Sequence, residues 1–331
     1  MNRGQVAFEA TNREGGRASF LAFLDGVRKE IDEWMGKHIA LRAGGDRELA
    51  DHFRGGKRLR GGTVLLLYEA LSDGDGGRGM ALDLAAAIEL AHAVSLMIDD
   101  VLDGDRIRRD APSLPATRGP HLTILEAVRM LSVPYSLAGP HGTAVISHLA
   151  ATHELMVSGA LAELQRSDQG KKVPYARLIS MKSGSLFELA ARFGALAAGC
   201  CEEKAALAGA YGNTLGTVHQ FADDIVDLRD ALSAGREVRG SEGLLFQWAV
   251  REPGERRRAI DHGALGREAE SELDSELQVH VRRAERAALK LSSSVGRCGG
   301  RRSTGTFLPI MLSAPFEIAS AMISSRPYGR K

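Results

Sequence analysis

The chain has 331 residues, 43 Lys+Arg against 42 Asp+Glu, 44% hydrophobic side chains and 5% aromatics. A net charge near zero excludes a general nucleic-acid binder, which needs a basic excess, and no uncharged apolar run approaches the ~20 residues of a membrane span. Cys200, Cys201 and Cys298 have no metal-binding spacing and read as reduced thiols; the N-terminus lacks the apolar stretch of a signal peptide, so a soluble cytoplasmic protein is expected.

In chain order, residues 1–17 are polar and glycine-containing and read as a flexible leader. From residue 18, Phe20, Phe23, Leu24, Val27, Ile31 and Trp34 recur at helical spacing. A short helical piece after Gly44 and Gly45 leads to the basic, glycine-rich stretch from Phe53 to Gly62, which opens a helix over 63–71. Glycines there would let backbone approach an anion, and the new helix would point its N–H groups and positive dipole end at it. Lys57 and Arg60, three apart, are placed to grip one phosphate together.

An Ala/Leu/Glu-rich helix over 83–103 follows, carrying Asp99, Asp100 and Asp103 on its C-terminal turns. Asp99 and Asp103 share a face, and a helix C-terminus is the wrong end for anions, so a cation should offset the cost. The proline-containing segment 111–120 cannot be helical throughout. Helices are expected over 122–137, with Pro134 a kink, and over 143–164, 175–199 and 204–225. The last of these ends on a second cluster, Asp223, Asp224 and Asp227, followed by a polar loop over 230–242. Further helices are expected over 244–250, 256–260, 268–291 and 301–325, before a basic tail at 326–331. Strand alternation is scarce, so the fold is expected to be all-α, with one domain over 18–325.

Aspartates without nearby Cys or structured His argue for a hard cation such as Mg²⁺, which takes one or two carboxylates and keeps water or phosphate oxygens. One Asp-Asp-x-x-Asp is usually a surface patch. Two copies beside buried sequence are costly unless neutralised. Lys57, Arg60, Arg108 and Arg109 then suggest a polyanionic substrate such as a diphosphate.

Five motifs carry a resemblance: Gly55 to Arg60, Glu89 to Leu96, Asp99 to Asp103 with Arg108 and Arg109, Lys182 to Phe187, and Gln220 to Asp227. In this order and spacing, over roughly residues 50–230, the chain resembles the trans-isoprenyl diphosphate synthases of the polyprenyl synthetase family. The resemblance implies an isoprenoid synthase-type helical bundle, a homodimer, with a central cavity between two Asp-rich walls. It implies Mg²⁺, three ions per site, held by Asp99, Asp103 and Asp223, with Asp100, Asp224 and Asp227 supporting and Glu163 an additional ligand. Arg108 and Lys182 would contact an allylic diphosphate. Lys57, Arg60, His92 and Arg109 would bind isopentenyl diphosphate, and Ser183 and Gln220 would sit near the developing allylic cation. The reaction implied joins the two into a trans isoprenyl diphosphate five carbons longer.

The chain departs from the family pattern at Ile98, Asp110 and Ala160, and most of all after the second cluster. Family members carry lysines there; this chain has Gly235-Arg236 and then Gly240, Ser241 and Glu242. Arg236 is the candidate replacement for the first lysine, although Lys and Arg are not equivalent toward phosphate. Product length in the family is set by bulk beneath the first Asp-rich motif. Val94 and Ser95, then Ala91 and Ala87, stand there, so a C20 or longer product is expected. The alternatives are a class I terpene cyclase, which the second aspartate cluster opposes, and a non-catalytic subunit, which the altered loop favours.

Overall fold

The computed structural model describes residues 19–294, apart from 73, 75, 110, 170–172 and 239, together with 304–324. The expectations for the leader, the basic tail, Asp110 and Cys298 lie outside the described residues. The remainder is helical: α1 (Phe20–Ala43), α2 (Arg47–His52), α3 (Leu59–Leu71), α4 (Arg78–Asp103), α5 (Leu114–Arg118), α6 (Pro120–Ala138), α7 (Thr143–Gln169), α8 (Tyr175–Ile179), a π turn at Ser180–Gly184, α9 (Ser185–Ala197), α10 (Glu202–Ser233), α11 (Gly240–Ala249), α12 (Pro253–His262), α13 (Arg267–Ser293) and α14 (Thr304–Ser324). Among the described residues the strands are β1 (Ile107–Arg108) and β2 (Ala111–Pro112), a two-stranded antiparallel turn just beyond α4.

Local chemistry sets most boundaries. Ser19 caps α1 by accepting the Ala22 N–H at 3.2 Å, and Gly44, at φ 59°, closes it in the left-handed conformation. Pro134 lies inside α6. Helices α3, α4 and α9 pack on one another, α6 lies along α4, and α10 runs against α9, α13 and α14. Their apolar faces form a main core around Val64, Leu67, Ala86, Phe187 and Tyr211. A second cluster, around Phe221, Ile225, Leu245 and Leu273, lies beneath the later part of α10. The acid-bearing helices α4 and α10 therefore belong to the packed centre of the bundle.

Three expectations change. Helix α3 begins four residues early, so Gly61 and Gly62 are helical and do not line an anion loop. A Cβ on Gly62 would stand 2.3 Å from Leu24 Cδ1, so this glycine serves helix packing. The Gly61 N–H, expected to face an anion, donates to buried Glu89 at 2.7 Å. Helix α10 continues to Ser233, so the second aspartate cluster lies within a helix and not at its end. Among the described residues, two helices are long and apolar enough to cross a membrane, Arg78–Asp103 and Phe307–Ser324. The first is 72% buried inside the protein and is a core helix; the second is 39% buried and packs on α1, α3, α10 and α13.

Candidate active site

The first wall is the C-terminal end of α4. Asp100 is fully buried and held by Arg108, whose guanidinium reaches back from β1 and also approaches Asp105 at 3.9 Å. Asp100 Oδ2 has no partner within the protein. Asp99 and Asp103 are less enclosed and have no such clamp. Burial pushes the Asp99 carboxyl up to about 6, against the opposing pull of Lys182 and with added repulsion from Asp103. Asp103 is likewise raised, by burial and then by Asp105. These are desolvated carboxylates with a deficit of local positive charge.

The second wall is the middle of α10. Asp224 is buried and accepts three hydrogen bonds, from Tyr175 Oη at 2.6 Å and from Gln220 Nε2 and Ser241 Oγ at 2.8 Å each. Burial nevertheless raises its carboxyl to about 7. Asp223 and Asp227 are half-buried and four residues apart, hence on one helix face. Between the walls stands Lys182 on the π turn, a distortion that swells a helix and re-aims its side chains. Burial would lower the Lys182 ammonium, but Glu163, Asp99 and Asp224 raise it instead. Lys182 is paired with Glu163, which ties that carboxylate to the π turn. Ser183, next on the π turn, donates to Gln220 Oε1.

A recess of about 350 Å³ adjoins the walls, lined by Lys57, Arg58, Arg60, His92, Arg109 and His219, among others. Arg60 stacks over Phe187 with its guanidinium carbon 4.8 Å from the ring centroid, and its Nε has no partner. Burial lowers Arg60 to about 10, against the pull of Glu89 and Asp223. Burial, followed by Arg60, His219 and Arg109, drives His92 well below the ordinary histidine value, so it is neutral. Arg109 donates to the Arg54 carbonyl at 2.7 Å. Both Arg58 and Arg109 have positive φ, 53° and 51°, which costs non-glycine residues energy and is retained where surroundings over-determine it. Arg58 is fastened by Asp32 at 2.6 Å and the Phe53 carbonyl at 2.9 Å.

Not every anticipated residue converges. Arg236 stands exposed in the turn after α10, and among the described residues no ion pair joins it to the aspartates. Val94 packs in the main core, while Ser95 is half-buried and donates to the His92 carbonyl at 2.8 Å. Arg58, Tyr175, His219 and Ser241 were not anticipated. Only His219, immediately before Gln220, and Arg58, inside the basic stretch, had a sequence signal. Burial, then Arg60 and Lys57, lowers His219 to about 3.

Among the described residues, no three of His, Cys, Asp and Glu close into a ready metal cage. All-oxygen donors on opposed walls, with Asp99 and Asp103 desolvated and poorly compensated, fit hard divalent ions whose coordination is completed by water and phosphate oxygens. Fold and site thus define a helical bundle in which carboxylate-bearing walls adjoin a cationic recess.

The polyprenyl synthetase family model matches residues 47–239. The chain is 32% identical over 203 residues to a geranylfarnesyl diphosphate synthase of Methanosarcina mazei, covering 60% of this chain and 68% of that protein. It is 31% identical over 279 residues to a nonaprenyl diphosphate synthase of Mycobacterium tuberculosis, covering 81% and 79% respectively. A Caulobacter crescentus polyprenyl synthase, solved with calcium and isoprenyl diphosphate, shares the fold at TM-score 0.65 and 21% identity, over 89% of this chain and 96% of that one. The chain belongs to the polyprenyl synthetase family. It is a prenyltransferase of a family that uses divalent metal.

Proposed function

We propose that this protein condenses isopentenyl diphosphate with an allylic diphosphate to give a linear trans isoprenyl diphosphate of C20 or longer. The observation that carries the reading is Lys182 standing between two aspartate walls, in the electrostatic field of Asp99 on one and Asp224 on the other. Magnesium, three ions per site, would be held by Asp99, Asp103 and Asp223, with Asp100, Asp224, Asp227 and Glu163 behind them. Bound there, the ions would neutralise phosphate charge and so assist departure of the allylic diphosphate.

Lys182 and Arg108 hold the same diphosphate from the cationic side. Lys57, Arg60, His92 and Arg109 orient isopentenyl diphosphate in the recess, so that its double bond meets the allylic carbon. Ser183 and Gln220 face the developing cation, the surrounding core excludes water that would quench it, and the departing diphosphate accepts the proton lost. Product length follows from the bulk near Val94 and Ser95.

The enzyme acts in the cytoplasm as a homodimer, through a single helical domain over 18–325. Support for pairing comes from an apolar stripe on neighbouring helices α6 and α7, where Leu125 and Val128 are 66% and 64% exposed and Val157, Leu161 and Leu164 follow at helical spacing. The exposed Arg236 favours a second reading, a subunit that needs an active partner.

Purified protein with Mg²⁺, isopentenyl diphosphate and each of dimethylallyl, geranyl and farnesyl diphosphate separates these readings by product mass. Elongation to C20 or beyond is expected. A C15 product alone overturns the length assignment, a released hydrocarbon indicates a cyclase, and no turnover without a partner indicates the subunit.

A further inference from the structure

The region least like the family, the lysine-poor segment after α10, leads into a helix whose first turn reaches the second aspartate wall. Ser241, in the first turn of α11, donates to Asp224 Oδ1 at 2.8 Å. Tyr175, at the start of α8, donates to Asp224 Oδ2 at 2.6 Å. The Gln220 amide donates to Oδ1 at 2.8 Å, while its own oxygen accepts from Ser183. Helices α8, α10 and α11 therefore meet on one carboxylate, and Gln220 links it to the π turn.

The chemistry of these groups fixes the direction of every bond. With Tyr175 and Ser241 both donating to it, Asp224 serves as acceptor, so the Gln220 NH₂ faces Asp224 and its carbonyl faces Ser183. That carbonyl can only accept, so the Ser183 proton is committed to it. Ser183 Oγ is left with lone pairs and no proton to offer elsewhere. A close backbone crossing keeps the chain short: a Cβ on Gly216 would stand 2.8 Å from both Gly184 Cα and the Ser183 carbonyl. One turn further along α10, Gln220 comes within reach of Ser183.

We propose that Ser241 and Tyr175 are positioning residues that pin Asp224 and, through Gln220, turn the Ser183 oxygen lone-pair-outward toward the carbon where positive charge develops. The inference rests on the prenyl-transfer reading and gives the altered segment a role there: a hydroxyl acting through Asp224 in place of an ammonium acting on phosphate. Neither residue touches substrate. Their effect is on the charge distribution of the reacting carbon and not on diphosphate binding. Hydrogen bonds to a buried carboxylate are among the stronger ones in proteins, and networks polarise along their length.

The test uses two unreactive allylic diphosphate analogues with Mg²⁺, measured by calorimetry against full-length wild type, Ser241→Ala, Tyr175→Phe and Ser241→Thr. One analogue is neutral in its chain, with sulfur replacing the bridging oxygen; the other carries an ammonium where the allylic cation would form. Ser241→Ala and Tyr175→Phe should each weaken the ammonium analogue about tenfold, about 1.4 kcal/mol, and leave the neutral one within twofold. Steady-state kinetics should show kcat lowered with both KM values held, and Ser241→Thr should restore both readouts. Equal losses for the two analogues, a KM effect alone, or no effect in either variant overturns the inference. If neither analogue binds the wild type, the prenyl-transfer reading fails and this inference falls with it; binding of both without discrimination among variants refutes the inference alone.

Discussion

The two aspartate walls have the same sequence pattern and opposite physical situations. On α4, the cluster ends a helix, only Asp100 is clamped, and Asp99 and Asp103 are raised by desolvation that their neighbours do not repay. On α10, the cluster lies within a continuing helix, and Asp224 is tied to Tyr175, Gln220 and Ser241. The first wall is poised for an external cation, while the second has invested its buried aspartate in holding the protein together. Identical motifs therefore need not supply identical numbers of open ligands.

The largest expected effect tests what the walls share. Asp99→Ala and Asp223→Ala should each lower turnover by at least about 10³-fold, beyond the 10²–10³ typical of losing one electrostatic contact, because a metal position is lost as well. Far-UV circular dichroism should be unchanged. Retention of a tenth of wild-type turnover by either variant would remove that wall from the reaction.

A stability measurement separates the walls. The folded Asp99 carboxyl is raised from the ordinary 3.8 to about 6, so the fold favours its protonated form. The contribution is fully present below about pH 4 and is lost as pH rises through about 6, at ~1.4 kcal/mol per pH unit, for a loss of at most about 3 kcal/mol by pH 7. Asp99→Asn should remove that loss. In metal-free protein the variant should be more stable than wild type at pH 7, with the gap closing toward pH 4. Asp224→Ala should instead cost about 2–3 kcal/mol at pH 4 by leaving Tyr175, Gln220 and Ser241 without their acceptor, and because burial raises Asp224 to about 7 that cost should shrink toward pH 7. Urea unfolding read at both pH values checks the pair; changes of the same sign would erase the distinction.

The contrast also explains what was legible in the sequence. The helix carrying Asp99 could be read from its Ala/Leu/Glu run, and the two clusters with their basic companions identified the family, because these signals are local. The end of α10 could not be read, since Asp223 to Asp227 looks like a helix terminator. What carries the helix past Asp224 includes a hydroxyl 49 positions away, at Tyr175. The role of Gly61 was misread for the same reason: its N–H is satisfied by Glu89, 28 positions along. His219 stands one residue outside the motif that begins at Gln220, and the folded recess gives it a place beside Arg60 and His92.

The smallest expected effect asks which wall the growing product follows. Beneath Asp99 the α4 side chains are small, with Val94 at 5% exposure above Ala91 and Ala87. Beside Asp227 on the other wall, Val226 is comparably buried at 6%. Val94→Phe should shorten the product by one or more five-carbon units. Val226→Phe should leave its length unchanged, and overpacking should cost each variant about 1–3 kcal/mol of stability. Matching that cost between the variants makes the comparison informative, because general loosening would alter both products alike. A shortened product from Val94→Phe alone assigns the tail to the α4 side. Equal shortening, or an effect confined to Val226→Phe, would mean that the small residues beneath Asp99 serve only helix packing.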